Sequence, residues 1–255
     1  MAEIRNLKKD ELTVRVFDNR ANMGIAAAEE AELWINEVIA KKGEVNIIFA
    51  AAPSQNDFLA SLIKKNVDWT KVNAFHMDEY IGLDREAPQG FANFLRRAIF
   101  DLVPFREVYC FDSQAHDREA ECKRYGELLL KYPADIIFMG IGENGHIAFN
   151  DPGVAKFDDP EIVKVAKLDE VCRNQQVNDG CFASIDLVPT HAYTLTVPIM
   201  MRAPKMMLVV PTALKAKAIH DTVLGPIDEM VPASIVRTHK GGVTLYTDEA
   251  GAALI

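Results

Sequence analysis

The chain has 255 residues, of which 49% are hydrophobic and 25% charged, which is an ordinary composition for a globular protein. Its formal net charge is −9 and it has no run or stripe of basic residues, so a nucleic-acid partner is not expected. No apolar run approaches the ~20 residues that span a bilayer, and the N-terminus lacks the apolar stretch of a secretory signal. We therefore expect a cytoplasmic protein with no membrane partner.

Helical and strand patterns alternate along most of the chain. An apolar spacing typical of a helix covers residues 22–42 and ends at Gly43. The other predicted elements, in chain order, are strand 45–50, helix 56–65, strand 72–76, helix 89–100, strand 108–110, helix 117–130, strand 134–139, strands 192–197 and 205–210, helix 212–224 and strand 243–246. This alternation predicts an α/β fold: an open, mostly parallel sheet with helices on both faces.

One polar segment interrupts the alternation. Residues 153–186 look irregular, and we interpret them as a long active-site loop rather than a domain boundary. The chain has no internal repeat and no low-complexity linker, so a single domain over residues 1–255 is expected.

The cysteines give no sign of a metal centre or a disulfide framework. They are far apart in sequence, without the paired close spacing of a zinc ribbon, and reduced thiols are usual in a cytosolic protein. They are Cys110, Cys122, Cys172 and Cys181. The cysteine spacing therefore argues against a zinc ribbon and a disulfide scaffold.

The most informative stretch is the glycine-rich segment that follows strand 134–139. It carries His146 between Asn144 and Asp151, with glycines at positions 140, 142 and 145. A backbone poor in side chains permits close approach by a ligand, which makes Gly145 a candidate binding position. A lone histidine is more often structural than catalytic, but open α/β sheets place ligand sites at strand ends of this kind.

Three other strand ends carry candidate site residues. Ser54 follows strand 45–50 as a potential N-cap, and a helix N-terminus attracts phosphate. Asp78 and Glu79 follow strand 72–76 and are candidates for general-base chemistry. Lys215 lies early in helix 212–224, where a cation opposes the helix dipole unless an anion is bound. Each position also has an ordinary structural interpretation: a capped turn, a solvated loop or a surface lysine.

Together these four strand ends would assemble an anion site, a carboxylate base and a histidine. An aldose–ketose isomerisation of a sugar phosphate needs these groups. The carboxylate moves a proton between neighbouring carbons, and the histidine opens the sugar ring. The phosphate serves as a remote handle whose binding energy orients the reacting end.

The chain resembles the glucosamine-6-phosphate deaminase family, whose relatives include the 6-phosphogluconolactonases. Residues 75–83 (FHMDEYIGL) and 142–152 (GENGHIAFNDP) carry the resemblance in combination. Residues 188–197, 215–218 and 232–235 match more weakly, so the resemblance extends from about Val45 onward.

The resemblance implies a Rossmann-like sheet, and it implies conversion of an amino sugar phosphate to a ketose phosphate with release of ammonia. No metal and no organic cofactor are implied. Asp78 would be the base between carbons 2 and 1, and His146 the ring-opening acid and base. Asp151 takes the position of a supporting glutamate, and Lys215 that of a phosphate-binding lysine.

The chain also departs from the family pattern. Asn144 stands where the family usually has an aspartate, so it can orient an imidazole without supplying charge. Residues 51–54 (AAPS) replace a Gly- and Thr/Ser-rich phosphate loop, and a proline has no N–H to donate. Arg173 is the nearest candidate for the family's sugar- and phosphate-contacting arginine.

These departures keep three functions open. The first is deamination of glucosamine 6-phosphate or galactosamine 6-phosphate. The second is lactone hydrolysis, although lactonase relatives usually have an arginine where this chain has Tyr80. The third is non-catalytic sugar-phosphate binding. The partner is a small sugar phosphate in every case, and the family's frequent oligomerisation leaves a homo-oligomer open.

Overall fold

The computed structural model describes residues 2–255. Two sheets and the helices around them account for most of this range. The strands are β1 (Glu3–Lys9), β2 (Leu12–Phe17), β3 (Val45–Phe49), β4 (Val72–His76), β5 (Asp78–Tyr80), β6 (Glu107–Tyr109), β7 (Ile136–Met139), β8 (Val163–Lys167), β9 (His191–Leu195), β10 (Lys205–Val209) and β11 (Val243–Asp248). The α-helices are α1 (Arg20–Lys42), α2 (Asn56–Leu62), α3 (Phe91–Leu95), α4 (Arg118–Lys131), α5 (Glu170–Asn178), α6 (Val197–Met200) and α7 (Ala216–Leu224). None of these helices is long and apolar enough to cross a bilayer.

The central sheet has eight strands in the order β1-β2-β11-β10-β7-β3-β4-β6. All neighbouring strands are parallel except β1 and β2, which form an antiparallel hairpin at one edge. The predicted mostly parallel α/β sheet is confirmed. The direction of winding reverses between β3 and β7, because the chain fills one side with β4 and β6 before it returns to the other side. Open α/β sheets bind ligands at such a switch point, outside the carboxyl ends of the strands.

Helices cover both faces of this sheet. Along β10, Met206 and Leu208 pack in one hydrophobic cluster, and Met207 and Val209 pack in the other. The first cluster contains the buried faces of α4 and α7, and the second contains those of α1 and α2. Strands buried on both faces explain why their sequences are continuous apolar runs rather than alternating ones.

Helix α1 shows how local chemistry sets the element boundaries. The side chain of Asn19 accepts a hydrogen bond from Asn22 N–H, so the helix begins at Arg20, two residues before the predicted start. It ends at Gly43, whose φ of 81° is left-handed and whose N–H donates to Ile39 O at 2.8 Å. The predicted stop at this glycine is confirmed.

Several parts of the sequence prediction need correction. No element was predicted before residue 22, but β1 and β2 lie there; β1 is an exposed edge strand rich in charge, so it carries no apolar pattern. Residues 153–186 are not one long loop, because they contain β8 and α5. Asp169 caps α5 by accepting from Cys172 N–H at 2.6 Å, a start signal that the polar composition of the segment obscured.

A small antiparallel sheet of order β5-β9-β8 stands beside the central one. It contains the predicted strand 192–197 as β9, and it also contains β5, which was predicted to be a loop. Asp78 of β5 pairs with Thr194 of β9, and Tyr80 pairs with Ala192. This pairing fixes the backbone on both sides of Glu79.

Candidate active site

A cleft of about 110 Å³ opens at the switch point of the central sheet. It is bordered by the segments that follow β3, β4, β7 and β10, which are the four strand ends identified in the sequence. Each segment contributes one predicted site residue to the lining: Ser54, Asp78, His146 and Lys215. The predicted convergence of these four residues is therefore present in the structure.

The loop that carries His146 depends on glycine at two positions. A Cβ at Gly142 would lie 2.1 Å from Cε1 of His146, so the imidazole packs on backbone that no other residue could provide. Gly145 has φ +84°, and its N–H donates to Gly142 O at 3.0 Å. Gly145 shapes the turn beside Val231, and the glycines of this loop that line the cleft are Gly140 and Gly142; its role as a binding position stays a prediction.

His146 is held by two neighbours through one ring nitrogen. Its Nδ1 lies 2.7 Å from Asn144 Oδ1 and 2.9 Å from Asp151 Oδ1. Asn144 Nδ2 donates to Asp151 Oδ1 at 3.0 Å, which orients the amide oxygen toward the imidazole. Two acceptors at Nδ1 favour the tautomer with its proton there, and Nε2 is then the nitrogen available to a ligand.

Asp151 supplies the negative charge of this group. Its side chain is fully buried. Burial alone would raise the pKa of Asp151, but the hydrogen bond and charge of His146 and the hydrogen bond from Asn144 outweigh it and hold the pKa below its usual range. A charged Asp151 is thus poised to stabilise a protonated His146, which neutral Asn144 cannot do.

The pKa of Asp78 is shifted in the opposite direction to that of Asp151. Burial, reinforced by the negative charge of Glu79, raises the pKa of Asp78 well above its usual range. Its carboxylate accepts no hydrogen bond from any residue in the described range, and it lines the cleft. A buried carboxylate with a raised pKa in a cleft is suited to taking up and returning a proton.

The Glu79 carboxylate, unlike that of Asp78, is bound by backbone N–H groups. It accepts hydrogen bonds from the N–H groups of Tyr80 and Phe91 at 2.9 Å and of Ala92 at 2.8 Å. It therefore caps α3 and does not line the cleft, so of the two carboxylates considered for general-base chemistry only Asp78 lines the cleft. Its influence on the site is its charge, which adds to the rise in the pKa of Asp78.

Ser54 lines the cleft but does not cap a helix. It lies inside a short 3₁₀ turn, Pro53–Gln55, whose N-cap is Ala52. Its Oγ accepts from Gln55 Nε2 at 3.0 Å, and the same Nε2 donates to Val209 O at 3.0 Å. Gln55 thereby ties the turn after β3 to the end of β10.

Lys215 is the last residue of the 3₁₀ turn Ala213–Lys215 and stands directly before α7. It is only 6% exposed, and no carboxylate within residues 2–255 lies close enough to form an ion pair with it. Burial lowers the pKa of Lys215, although the charges of Asp179 and Glu143 work against this. A buried cation without a partner is costly, so the position favours a bound anion.

One cluster near the histidine has ligand atoms that suit a metal ion. The side chains of His146, Asp151 and Cys172 bring such atoms within 4.8 Å of one another. Burial and the neighbouring carboxylates Asp151 and Asp169 raise the pKa of the Cys172 thiol far above its usual range. The absence of a metal from the reaction stays a prediction.

The chain is similar to known proteins over most of its length. The family model described as glucosamine-6-phosphate isomerases/6-phosphogluconolactonase matches residues 18–245. The chain belongs to this family. A glucosamine-6-phosphate deaminase of Listeria welshimeri is 37% identical over 230 residues, which is 90% of this chain and 96% of the relative. One from Lactobacillus delbrueckii subsp. bulgaricus is 35% identical over 244 residues, which is 96% of this chain and 100% of the relative.

Solved structures of the family agree in fold. A monomeric glucosamine-6-phosphate deaminase has a TM-score of 0.86 at 28% identity, covering 95% of this chain and 99% of that one. A 6-phosphogluconolactonase from Trypanosoma brucei has a TM-score of 0.77 at 17% identity, covering 94% and 97%. At 17% identity, the likeness to the 6-phosphogluconolactonase concerns the fold alone.

Arg173, the predicted counterpart of the family's arginine, does not reach the cleft. Its Nη2 donates to Ile185 O at 2.6 Å and to Val188 O at 2.9 Å, so it fastens the segment that follows α5. This corrects its prediction as a substrate contact. The residues of this helix region that line the cleft are Gln175, Gln176 and Asp179, which sequence reasoning missed. Gln175 also accepts from Glu143 N–H at 2.9 Å.

Thr212 is a strained position in the wall of the cleft. Its φ is 83° and its ψ is 152°, a conformation that a β-branched residue rarely adopts. Its N–H donates to Asp248 Oδ1 at 2.9 Å, which helps to hold this geometry. No local pattern in a single sequence identifies such strain.

Thr212→Gly is expected to stabilise the fold. Relief of the strain exceeds the added chain entropy of glycine, so the free energy of unfolding should rise by about 1 kcal/mol in urea denaturation. Thr238→Gly, at a position without a positive φ, is the control and should destabilise. A loss of stability in Thr212→Gly would show that Thr212 is not strained.

Proposed function

We propose that this protein is an enzyme that converts an amino sugar 6-phosphate and water into a ketose 6-phosphate and ammonia. The relatives named glucosamine-6-phosphate deaminase support this reaction. The observation that carries the proposal is the pairing of two proton-transfer groups in one cleft: the buried Asp78 carboxylate and the His146 imidazole.

The reaction begins with opening of the sugar ring. His146 gives a proton to the ring oxygen as the bond from carbon 1 breaks, and it collects the proton of the carbon 1 hydroxyl. Asn144 orients the imidazole, and the charge of Asp151 stabilises its protonated form. The open-chain product has an aldehyde at carbon 1 and the amine at carbon 2.

Asp78 then carries out the isomerisation. It takes the weakly acidic proton from carbon 2 while the carbon 1 oxygen takes back a proton from protonated His146, which gives an enolamine. Asp78 then returns its proton to carbon 1. Carbon 2 becomes an imine, and addition of water followed by loss of ammonia leaves the ketone. The raised pKa of Asp78 suits it to hold the proton between the two steps.

The sugar phosphate would be anchored by Lys215 and the turn that contains Ser54. Lys215→Met is expected to raise the KM for the phosphorylated substrate by about 10–100-fold with little change in kcat, because the phosphate is bound alike in the ground and transition states. Lys217→Met is the matched control, since that side chain is 78% exposed and pairs with Asp221. A defect confined to kcat would contradict the anchoring role.

A substrate panel tests the proposed function. Metal-free protein is supplied in parallel with glucosamine 6-phosphate, galactosamine 6-phosphate and 6-phosphogluconolactone, and ammonia and acid release are measured. Glucosamine 6-phosphate is the expected substrate from the relatives' names, and galactosamine 6-phosphate is the competing epimer. Hydrolysis of the lactone without ammonia from either amino sugar would replace the proposal with a lactonase function.

A further inference from the structure

Arg20, the first residue of α1, lines the same cleft and was not identified from the sequence. Its guanidinium is held on one side: Nε pairs with Asp57, and Nη2 donates to Pro53 O at 2.7 Å. Its Nη1 has no acceptor among residues 2–255. Arg20 therefore presents a spare donor beside the turn that contains Ser54, on a guanidinium whose charge is partly offset by Asp57.

The position of Arg20 is fixed by close packing of α1 on α2. A Cβ at Gly24, one turn further along α1, would lie 2.7 Å from the backbone carbon of Asp57. Only glycine permits this approach, which brings Arg20 and Asp57 together across the two helices. A guanidinium held by two partners loses little freedom when it binds a ligand.

The charge of a phosphate group is better matched by two cations in this cleft than by one. A phosphate monoester carries about −1.5 to −2 charges near neutral pH. Lys215 supplies at most one positive charge, and the nearby carboxylate of Asp179 offsets part of it. Apart from Lys215, Arg20 is the lysine or arginine that lines the cleft within the described residues. At the N-terminus of α1 a cation opposes the helix dipole, and a bound anion relieves that conflict.

We propose that Arg20 is a phosphate-binding residue that selects phosphorylated over unphosphorylated sugars. It acts together with Lys215, and the two cations approach the phosphate from α1 and from the turn before α7. The identity of the sugar rests on the proposed function, whereas the phosphate selectivity does not.

The test compares Arg20→Gln with Arg20→Lys and with the double variant Arg20→Gln/Asp57→Asn. The double variant keeps the net charge of the native chain and leaves no unpaired carboxylate at residue 57. Arg85→Gln is the matched control, because Arg85 is also ion-paired to an aspartate, Asp112, but is exposed and away from the cleft. Calorimetry with inorganic phosphate and with fructose 6-phosphate measures binding directly, and kcat/KM is compared for glucosamine 6-phosphate and unphosphorylated glucosamine.

Both Arg20→Gln variants should bind the two phosphate ligands about 10–100-fold more weakly, with kcat/KM for glucosamine unchanged. Arg20→Lys should recover part of the loss, because it keeps the charge but not the guanidinium fork. An equal loss with both sugars, or unchanged phosphate binding, would overturn the proposal. Arg20-dependent phosphate binding in a protein that releases no ammonia would overturn the proposed function and leave this inference standing.

Discussion

Asp78→Asn should lower kcat for ammonia release by about 10²–10⁴-fold while KM changes little. The asparagine amide has nearly the same shape as the carboxylate, so the cleft keeps its form. It cannot accept the proton of carbon 2, so the isomerisation loses its base. Steady-state ammonia release with glucosamine 6-phosphate measures the effect, and circular dichroism checks that the variant is folded.

Two companion variants make this prediction specific. Asp84→Asn changes an exposed aspartate close in sequence and should leave kcat unchanged. Glu79→Gln removes the charge that helps to raise the pKa of Asp78, so the acidic limb of the pH–rate profile should move to lower pH. Native turnover in Asp78→Asn would remove this residue from the role of base.

Asp151→Asn is expected to lower kcat by about 10²–10⁴-fold, as the loss of a charged partner does for other catalytic histidines. The expected effect is large because Asn144, the other side chain at Nδ1 of His146, is neutral. Asp151 is therefore the carboxylate that contacts the imidazole in the described structure. The loss should appear in kcat, because the imidazolium forms only during ring opening.

A charge exchange tests whether Asp151 acts through its charge. In Asn144→Asp/Asp151→Asn the carboxylate moves to the position 2.7 Å from Nδ1, and much of the lost turnover should return. Asn144→Asp alone should preserve or raise turnover. If Asp151→Asn is harmless, or if the exchanged pair is as inactive as the single variant, the charge of Asp151 is not what supports His146.

The features of the fold and the site that depend on local patterns could be predicted from the sequence. Apolar runs such as residues 134–139 mark strands buried on both faces, and the carboxyl ends of parallel strands meet at one edge. These two features of the sequence predict that Ser54, Asp78, His146 and Lys215 lie close together. Gly43 marked the end of α1 because a left-handed residue there favours glycine.

The role of a residue could not be predicted from the sequence where the direction of its side chain decides that role. Asp78 and Glu79 are adjacent, but alternation along β5 sends one to the cleft and the other to the N–H groups of α3. Arg173 and Gln176 are separated by less than one helical turn, and only the glutamine lines the cleft. Arg20 lies just after β2, a strand that was not predicted from the sequence, and its position depends on the contact between Gly24 and Asp57.

The fate of the hydrogen at carbon 2 tests most directly whether Asp78 is the base of the proposed isomerisation. Glucosamine 6-phosphate with deuterium at carbon 2 is turned over by the native protein, and the fructose 6-phosphate is examined by nuclear magnetic resonance as ammonia is counted. If Asp78 is the base, turnover should be slower than with ordinary substrate and one carbon–deuterium bond should break for each ammonia released. In Asp78→Asn both ammonia release and loss of deuterium from carbon 2 should fall together. Ammonia released while the deuterium stays on carbon 2 would contradict the proposed isomerisation.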